Sequence, residues 1–231
     1  KEVYGLVVMD RREGMIALLK GKSIIPLQKS TSNVPGKTRA GGQSAARFER
    51  LREGAAKEFY SRLGEHMKEQ FLHQNALVKG IIVGGPGPTK QDFVEGDYIT
   101  SEVKKKIIGL RDLSYTGEFG LQELVDRSQD LLAKEEIAEE KQVTGEFFKL
   151  LSTDPDRAAY GRDDVLKKLR MGAVDKLLLS ESLADSDITL FEKEAENLGS
   201  TVFIISTETR EGVQIKEIGG FAGILRYKIE T

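Results

Sequence analysis

The stretch that decides the fold of the N-terminal half is VYGLVVMDRREGMIALLKGKSIIPL, which runs from Val3 to Leu27. It contains three runs of apolar residues separated by short turns, the first of which is RREG at positions 11–14. Apolar, β-branched runs of this length are typical of β-strands, and short turns join neighbouring strands antiparallel. The stretch therefore predicts an antiparallel meander with strands at Val3–Met9, Met15–Leu19 and Lys22–Leu27.

A long helical pattern follows the meander, from Ser44 to Gln74, with Ser44 as its predicted N-cap. Its apolar residues recur every three or four positions and predict a single buried stripe made of Phe48, Leu51, Ala55, Phe59, Leu63, Met67 and Phe71. Strands are then predicted at Leu77–Val83 and Gly109–Leu113, with a helix between them over Ser101–Ile108 and the residues just before it. This order of elements predicts an α/β domain.

The second half of the chain again alternates helices and strands. One helical pattern spans Leu121–Ser152, and we expect the first domain to end inside it, near Ala133. Beyond it, the sequence predicts helices at Arg162–Met171 and Ile188–Leu198 and strands at Asp175–Ser180, Thr201–Ser206 and Gly223–Ile229. The predicted fold class is α/β, with two α/β domains, residues 1–133 and 134–231, joined by a long helix.

The composition excludes several classes of site. The 231 residues include no cysteine, which excludes disulfides, thiolate nucleophiles and cysteine-ligated metals, and fits a reducing compartment. No apolar run approaches the roughly 20 residues of a membrane-spanning helix, and no secretory signal is visible. His66 and His73 are seven residues apart, a poor spacing for a shared metal. The chain begins with Lys1 instead of Met, so we expect it to be a fragment.

The charges are unevenly distributed, although the net charge is only −2. From Gly14 to Phe48 there is no Asp or Glu, whereas the same span contains six basic residues: Lys20, Lys22, Lys29, Lys37, Arg39 and Arg47. A local basic segment suits contact with a polyanion. A chance gap in the acidic residues of a solvated face explains the pattern equally well, so the charges alone do not decide.

Two glycine-rich segments resemble phosphate-binding loops, and neither meets the requirements. Gly36-Lys37-Thr38 matches the end of such a loop, but the first glycine of the motif falls on Thr31. Two further glycines, Gly41 and Gly42, also stand where the helix of a phosphate loop would begin. GGPGPTK (residues 84–90) lacks the spacing, and its prolines lack N–H donors. We interpret it as a turn between a strand and a helix.

The tripeptide GGQ, Gly41 to Gln43, is the remaining candidate site. By chance alone it occurs in roughly one chain in twenty of this length. Its setting is more informative, because it lies at the start of the predicted helix and is flanked by Lys37, Arg39, Arg47 and Arg50. Gln43 can position a water molecule or offer a backbone N–H to an oxyanion, but it cannot act as a general base. The alternative is a glycine hinge that only caps the helix.

The segment RAGGQSAARFERLRE, residues 39–53, resembles the GGQ segment of the archaeal and eukaryotic class-I peptide chain release factors, the archaeal ones most closely. Four other segments resemble the family in the same order: GIIVGGPG at 80–87, RDLSYTGEFG at 111–120, MGAVDKLLLSE at 171–181 and EGVQIKEIGGFAGILRY at 211–227. The resemblance covers essentially the whole chain. The related pelota-type factors share the domain plan but lack GGQ.

The resemblance implies a fold and a function. It implies a GGQ-bearing ribonuclease-H-like domain and a C-terminal α/β sandwich resembling kink-turn-binding ribosomal proteins. The stop-codon-reading domain of the family would be absent, as would a minidomain that relatives insert in the C-terminal domain, because residues 183–187 join strand to helix directly. The implied function is translation termination by hydrolysis of peptidyl-tRNA in the ribosomal peptidyl transferase centre, in the cytoplasm. A non-catalytic ribosome-rescue or RNA-binding module of the pelota type is the alternative.

The resemblance also implies site residues and partners. Gly41, Gly42 and Gln43 would take part in hydrolysis, and Lys37, Arg39, Arg47 and Arg50 would contact RNA phosphates. The implied partners are the ribosome with its peptidyl-tRNA, a translational GTPase of the elongation-factor-1-alpha type and an ABC-type recycling ATPase. We expect no cofactor, no metal and no membrane, and activity only as part of the ribosomal active site.

Overall fold

The computed structural model describes residues 2–33, 42–73 and 78–230. The chain divides into two compact units, Lys1–Leu132 and Ala133–Thr231. Within the described ranges, no helix combines the length and the apolar composition that crossing a membrane requires. Each unit consists of one mixed β-sheet with helices, so the prediction of two α/β domains is confirmed.

Unit 1 is built on a five-stranded sheet in the order β3-β2-β1-β4-β5. The first three strands pair antiparallel, as the meander prediction requires, and β1, β4 and β5 pair parallel. The strands are β1 (Val3–Met9), β2 (Glu13–Lys20), β3 (Ser23–Thr31), β4 (Ile81–Gly85) and β5 (Ile107–Asp112). The predicted helix at Ser101–Ile108 is too long, because Ile107 already belongs to β5.

The helices of unit 1 occupy both faces of the sheet. They are α1 (Gln43–Lys68), which continues as a π-helical turn over Glu69–His73, α2 (Thr89–Glu95), α3 (Ser101–Lys104) and α4 (Gly117–Asp126). Successive side chains of a strand point to opposite faces. Along β1, Val7 and Met9 therefore pack with α1 and α2, whereas Leu6 and Val8 pack with α4.

The single helix predicted over Leu121–Ser152 is in fact two helices. Helix α4 ends at Asp126 and α5 (Gln129–Thr153) begins after a two-residue break. The carbonyl of Arg127 accepts a hydrogen bond from Arg111 Nε (3.1 Å). That contact ties the break to the sheet, and periodicity within the helical pattern could not reveal it. Helix α5 starts in unit 1 and runs into unit 2, so the predicted connecting helix is confirmed.

Unit 2 contains a four-stranded sheet in the order β6-β9-β7-β8. The strands are β6 (Ala158–Tyr160), β7 (Val174–Ser180), β8 (Thr201–Ile205) and β9 (Phe221–Leu225), and the further helices are α6 (Arg162–Arg170), α7 (Asp185–Leu198) and α8 (Arg210–Glu217). The sequence reading missed β6 and α8, and it placed the last strand two residues late. Phe191 of α7 packs on one face of the sheet and Phe147 of α5 on the other.

Candidate functional site

Helix α1 divides into two halves with different surroundings. Between Ser44 and Ala55 no described side chain is buried, whereas Phe59, Leu63 and Met67 in the second half are fully buried. Phe48 and Leu51, both predicted as core, are 39% and 52% exposed. The prediction that these two residues belong to the core is therefore wrong. The helix has 26 residues, and at 1.5 Å per residue its open half is about 20 Å long.

The sheet ends beneath Phe59, and this explains where burial stops. A Cβ on Gly14, next to the first residue of β2, would lie 3.3 Å from the Phe59 ring and 3.1 Å from Leu63. Arg62 Nη2 donates to the carbonyl of Thr31, the last residue of β3 (3.2 Å). The end of the sheet thus contacts α1 at the level of Phe59, Arg62 and Leu63. The part of α1 that precedes Phe59 extends beyond the sheet.

Polar contacts fasten the second half of α1 to the edge strand β3. Besides the bond from Arg62, Ser30 Oγ lies 3.0 Å from His66 Nδ1, and Gln70 Nε2 donates to Gln28 Oε1 (3.4 Å). Sequence reasoning could not find these pairs, because their members are 36 and 42 residues apart and have no shared pattern. His66 is thus bonded to a serine, and no cluster in the described residues could hold a metal ion.

Gly42 stands at the start of α1 in a conformation that requires glycine. Its φ is 79° and its ψ is −147°, and it is the N-cap in place of the predicted Ser44. This region of backbone space is close to the one populated essentially by glycine alone. A Cβ added at Gly42 would meet no atom of the described structure within 4 Å. Backbone conformation, not crowding, therefore fixes the residue type at this position.

The first turn of α1 offers unpaired backbone donors. The first helical bond runs from Ala46 N–H to Gly42 C=O (3.4 Å), no side chain caps the described N-terminus, and no acidic residue lies in the first turn. The N–H groups before Ala46 and the helix dipole together favour negative charge here. Gln43 is the first residue of the helix, so its backbone N–H belongs to this turn.

The basic residues predicted for the site are only partly described. Arg47 and Arg50 are exposed, one turn apart, on the open half of α1, and neither pairs with a carboxylate of the described residues. Lys37, Arg39 and Gly41, and the side chain of Gln43, lie outside the described residues. The structure thus brings together Gly42, the backbone of Gln43, Arg47 and Arg50 on one projecting segment.

The second glycine-rich segment is a structural turn, as predicted. Strand β4 ends at Gly85 and α2 begins at Thr89. Lys90 is only 1% exposed, and its Nζ donates to Gly87 C=O and to Asp112 Oδ1, at 2.5 Å each. The hydrogen bond from Lys90 and its positive charge lower the pKa of the Asp112 carboxyl. This lysine therefore closes a turn and is not available to a phosphate.

The comparisons with known proteins agree with this geometry. The family model of eRF1 domain 2 matches residues 3–134, and that of eRF1 domain 3 matches residues 137–229. The chain is 42% identical to the peptide chain release factor subunit 1 of Thermococcus kodakarensis over all of this chain and 67% of the relative. It is also 42% identical to that of Pyrococcus abyssi, over 99% of this chain and 67% of the relative. The chain belongs to the eRF1 family of peptide chain release factors.

Solved structures show the same fold at lower identity. Archaeal Pelota in a ribosome-bound model with ABCE1 matches 98% of this chain and 62% of its own length, with a TM-score of 0.68 and 23% identity. Dom34 of Saccharomyces cerevisiae matches 99% of this chain and 63% of its own length, with a TM-score of 0.58 and 20% identity. The chain thus spans about two thirds of the length of the relatives that it matches.

The curated relatives also contain residues that this chain lacks. The match to the Thermococcus kodakarensis protein runs over 279 positions, whereas this chain has 231 residues, so at least 48 positions of that relative have no counterpart here. In unit 2, β7 ends at Ser180 and α7 begins at Asp185. Only the short segment 181–184 therefore joins this strand to its helix.

Proposed function

We propose that this chain is the part of a translation termination factor that enters the ribosomal peptidyl transferase centre and triggers hydrolysis of peptidyl-tRNA at stop codons. The observation that carries the proposal is Gly42, which has a glycine-only conformation at the start of a helix half that the core does not cover. A narrow active site requires a projecting segment without bulky side chains at its tip. Membership of the eRF1 family supports the same role.

The chemistry assigned to the GGQ segment is stabilisation and positioning. Water adds to the ester carbonyl carbon, and a tetrahedral intermediate with a negative oxygen forms. The water gives up one proton, the bond to the tRNA ribose oxygen breaks as the carbonyl forms again, and the ribose oxygen takes up one proton, so that the step balances. Gln43 has no group that titrates, so it is not the base. Its backbone N–H would stabilise the oxyanion, its side chain would restrict which nucleophile enters, and Gly41 and Gly42 would allow close approach.

The basic residues of the segment would bind RNA. Arg47 and Arg50 stand on the open half of α1, and Lys37 and Arg39 precede it in sequence. Each would neutralise an rRNA or tRNA phosphate, so ribosome affinity should fall as salt rises. The remaining catalytic groups would come from the ribosome, so the chain is not expected to hydrolyse esters alone.

The two domains would divide the work. Residues 1–133 would enter the peptidyl transferase centre, and residues 134–231 would bind partners in the cytoplasm. The solved Pelota with ABCE1 favours an ABC-type ATPase as one partner, and the family resemblance adds a translational GTPase of the elongation-factor-1-alpha type. Sedimentation of each purified partner with ribosomes, with and without this chain, tests them. A partner whose sedimentation does not change is not recruited by this chain.

The release reaction itself tests the proposal. This chain, joined to the stop-codon-reading domain of a family relative, is added to ribosomes that hold labelled peptidyl-tRNA at a stop codon. Gly42→Ala should slow release by about 100-fold, because the strained backbone displaces the donors of the first turn. Gly54→Ala is the matched control, since Gly54 lies in the same open half of α1 with no atom within 4 Å of an added Cβ. Equal release rates for the two variants would refute the proposal.

The pelota-type alternative predicts a different result. A non-catalytic module would bind ribosomes through the same basic segment but would not release peptide. Gly42→Ala would then have no effect on release. Ribosome binding measured beside release separates the two: Gly42→Ala should keep its binding, whereas the double variant Arg47→Ala/Arg50→Ala should bind more weakly with a shallower salt dependence. Unchanged binding of the double variant would remove the arginines from the proposed RNA contact.

A further inference from the structure

Unit 1 exposes two aromatic side chains at the start of α4, away from the GGQ segment in sequence. Tyr115 is 64% exposed and Phe119 is 81% exposed. They line an open groove together with Gln122, Glu123, Asp126 and Arg127. Burying such a side chain stabilises a protein by about 1.5–3 kcal/mol, so folding gains nothing from their exposure. Two exposed aromatic side chains that line the same groove form a candidate interaction site.

The segment that presents Tyr115 is held in place before any partner arrives. Glu123 Oε1 accepts the N–H groups of Ser114 (2.8 Å) and Tyr115 (3.2 Å), and Thr116 Oγ1 donates to Glu13 Oε1 (2.5 Å). Burial alone would raise the pKa of Glu123. The two N–H donors and the charge of Arg127 have a larger effect, so that the net result is a lowered pKa. A preformed surface loses less entropy on binding than a flexible one.

Helix α4 separates this surface from the core. Gly120, Leu121 and Leu124 face the sheet, and a Cβ on Gly120 would lie only 2.8 Å from Val8 Cγ1 of β1. Phe119, Gln122 and Asp126 recur at three- and four-residue spacing on the exposed side. Because the side of α4 that faces the sheet is tightly packed, the helix cannot rotate to bury its exposed side. The aromatic pair stays available to a partner.

The charges around the groove select the class of partner. Arg127 Nη2 pairs with Glu123 Oε2 (3.1 Å), which neutralises both. Glu118 and Asp126 are exposed and have no basic partner among the described residues; Asp126 accepts a bond from Gln122 (3.0 Å). The rim is therefore net negative, which disfavours RNA phosphates. An arginine side chain suits both the exposed aromatic rings and the negative rim, because its planar guanidinium stacks on aromatic rings and pairs with carboxylates.

We propose that the surface formed by Tyr115, Phe119, Gln122, Asp126 and Glu118 docks an arginine-bearing segment of a partner protein. The aromatic rings supply the apolar contact, and the Glu118 and Asp126 carboxylates, which have no basic partner in the described part of the chain, select positive charge. This surface lies on α4 and on Tyr115 just before it, whereas Gly42, Gln43, Arg47 and Arg50 lie at the start and in the first half of α1. The two can therefore be tested independently of each other.

Fluorescence anisotropy of a labelled helical peptide of Arg, Leu and Ala tests the proposal, with a matched peptide that has Glu in place of Arg. The wild-type chain should prefer the Arg peptide. Glu118→Lys/Asp126→Lys should weaken that binding about tenfold and gain affinity for the Glu peptide. A reversal of preference cannot arise from unfolding. Phe119→Ala should weaken binding of the Arg peptide without reversing it.

Glu192→Lys/Glu196→Lys is the control, because it makes the same change of charge on the exposed face of α7. It should bind the Arg peptide like the wild type. Equal loss in both charge-reversal variants would overturn the proposal, because it would reduce the effect to net charge. A labelled single-stranded oligouridine that binds the wild type and is released by Phe119→Ala would also overturn it, in favour of RNA.

Discussion

The two halves of helix α1 share one amphipathic pattern and have opposite environments. From Phe59 onward the stripe lies on the sheet and is fully buried, whereas Phe48 and Leu51 on the same stripe remain exposed. Two glycines of α1 show the same contrast between the two halves of the helix. A Cβ on Gly64 would lie 1.9 Å from the carbonyl of Tyr98, but a Cβ on Gly54 would meet nothing within 4 Å. One half of the helix stabilises the domain, whereas the side chains described in the other half are not buried.

The largest expected effect comes from truncating the buried stripe. Phe59→Ala should lower the free energy of unfolding of unit 1 by about 4 kcal/mol, because it removes a fully buried ring from the core. Phe48→Ala, the matched change in the open half, should lower it by less than about 1 kcal/mol. Urea unfolding combined with hydrogen exchange of the β1 and β4 amides reports unit 1 separately. Similar losses for the two variants would contradict the division of the helix.

A smaller effect is expected from adding one methyl group to the packed half. Gly64→Ala should lower the free energy of unfolding by about 3 kcal/mol. The atom in its way is the backbone oxygen of Tyr98, which cannot rotate aside as a side chain can. The measurement is again exchange of the β1 and β4 amides in urea. A Gly64→Ala protein as stable as the wild type would show that α1 does not pack closely against the segment at Tyr98.

The smallest effect should have the opposite sign. Gly54→Ala should raise the stability of α1 by about 0.5–1 kcal/mol, because alanine favours a helix over glycine and the new methyl group meets no neighbour. Exchange protection of the amides in the open half of α1 measures this directly. Destabilisation by this substitution would mean that another part of the protein covers that half.

Much of the fold follows from local pattern. The meander was predictable because each strand is a short apolar run ended by a turn, and the turn at GGPGPTK because prolines and glycines exclude a regular element. The break between α4 and α5 was not predictable, because a bond from Arg111, sixteen residues earlier, holds it. Strand β6 was missed because three residues, Ala158–Tyr160, carry too little pattern.

For the candidate functional surfaces, too, the sequence identified some residues and not others. Sequence identified GGQ and its flanking arginines, since glycine and basic residues carry their chemistry wherever they are placed. It did not identify the exposed Tyr115 and Phe119 as a surface, although both lie in the segment RDLSYTGEFG. Which aromatic residues remain exposed depends on what packs around them, and the sequence of one segment does not contain that information.

By itself, the sequence determined the antiparallel meander, the helical stripe of α1 and the glycine and basic residues near the start of that helix, because these depend on neighbours within a few positions. Only the tertiary structure decided where along α1 burial stops, because that depends on the ends of β2 and β3 at Glu13 and Thr31. It also decided that Gly42 requires glycine for its backbone, whereas Gly64 requires it for space. Periodicity defines a face, and only the assembled sheet determines how much of that face is covered.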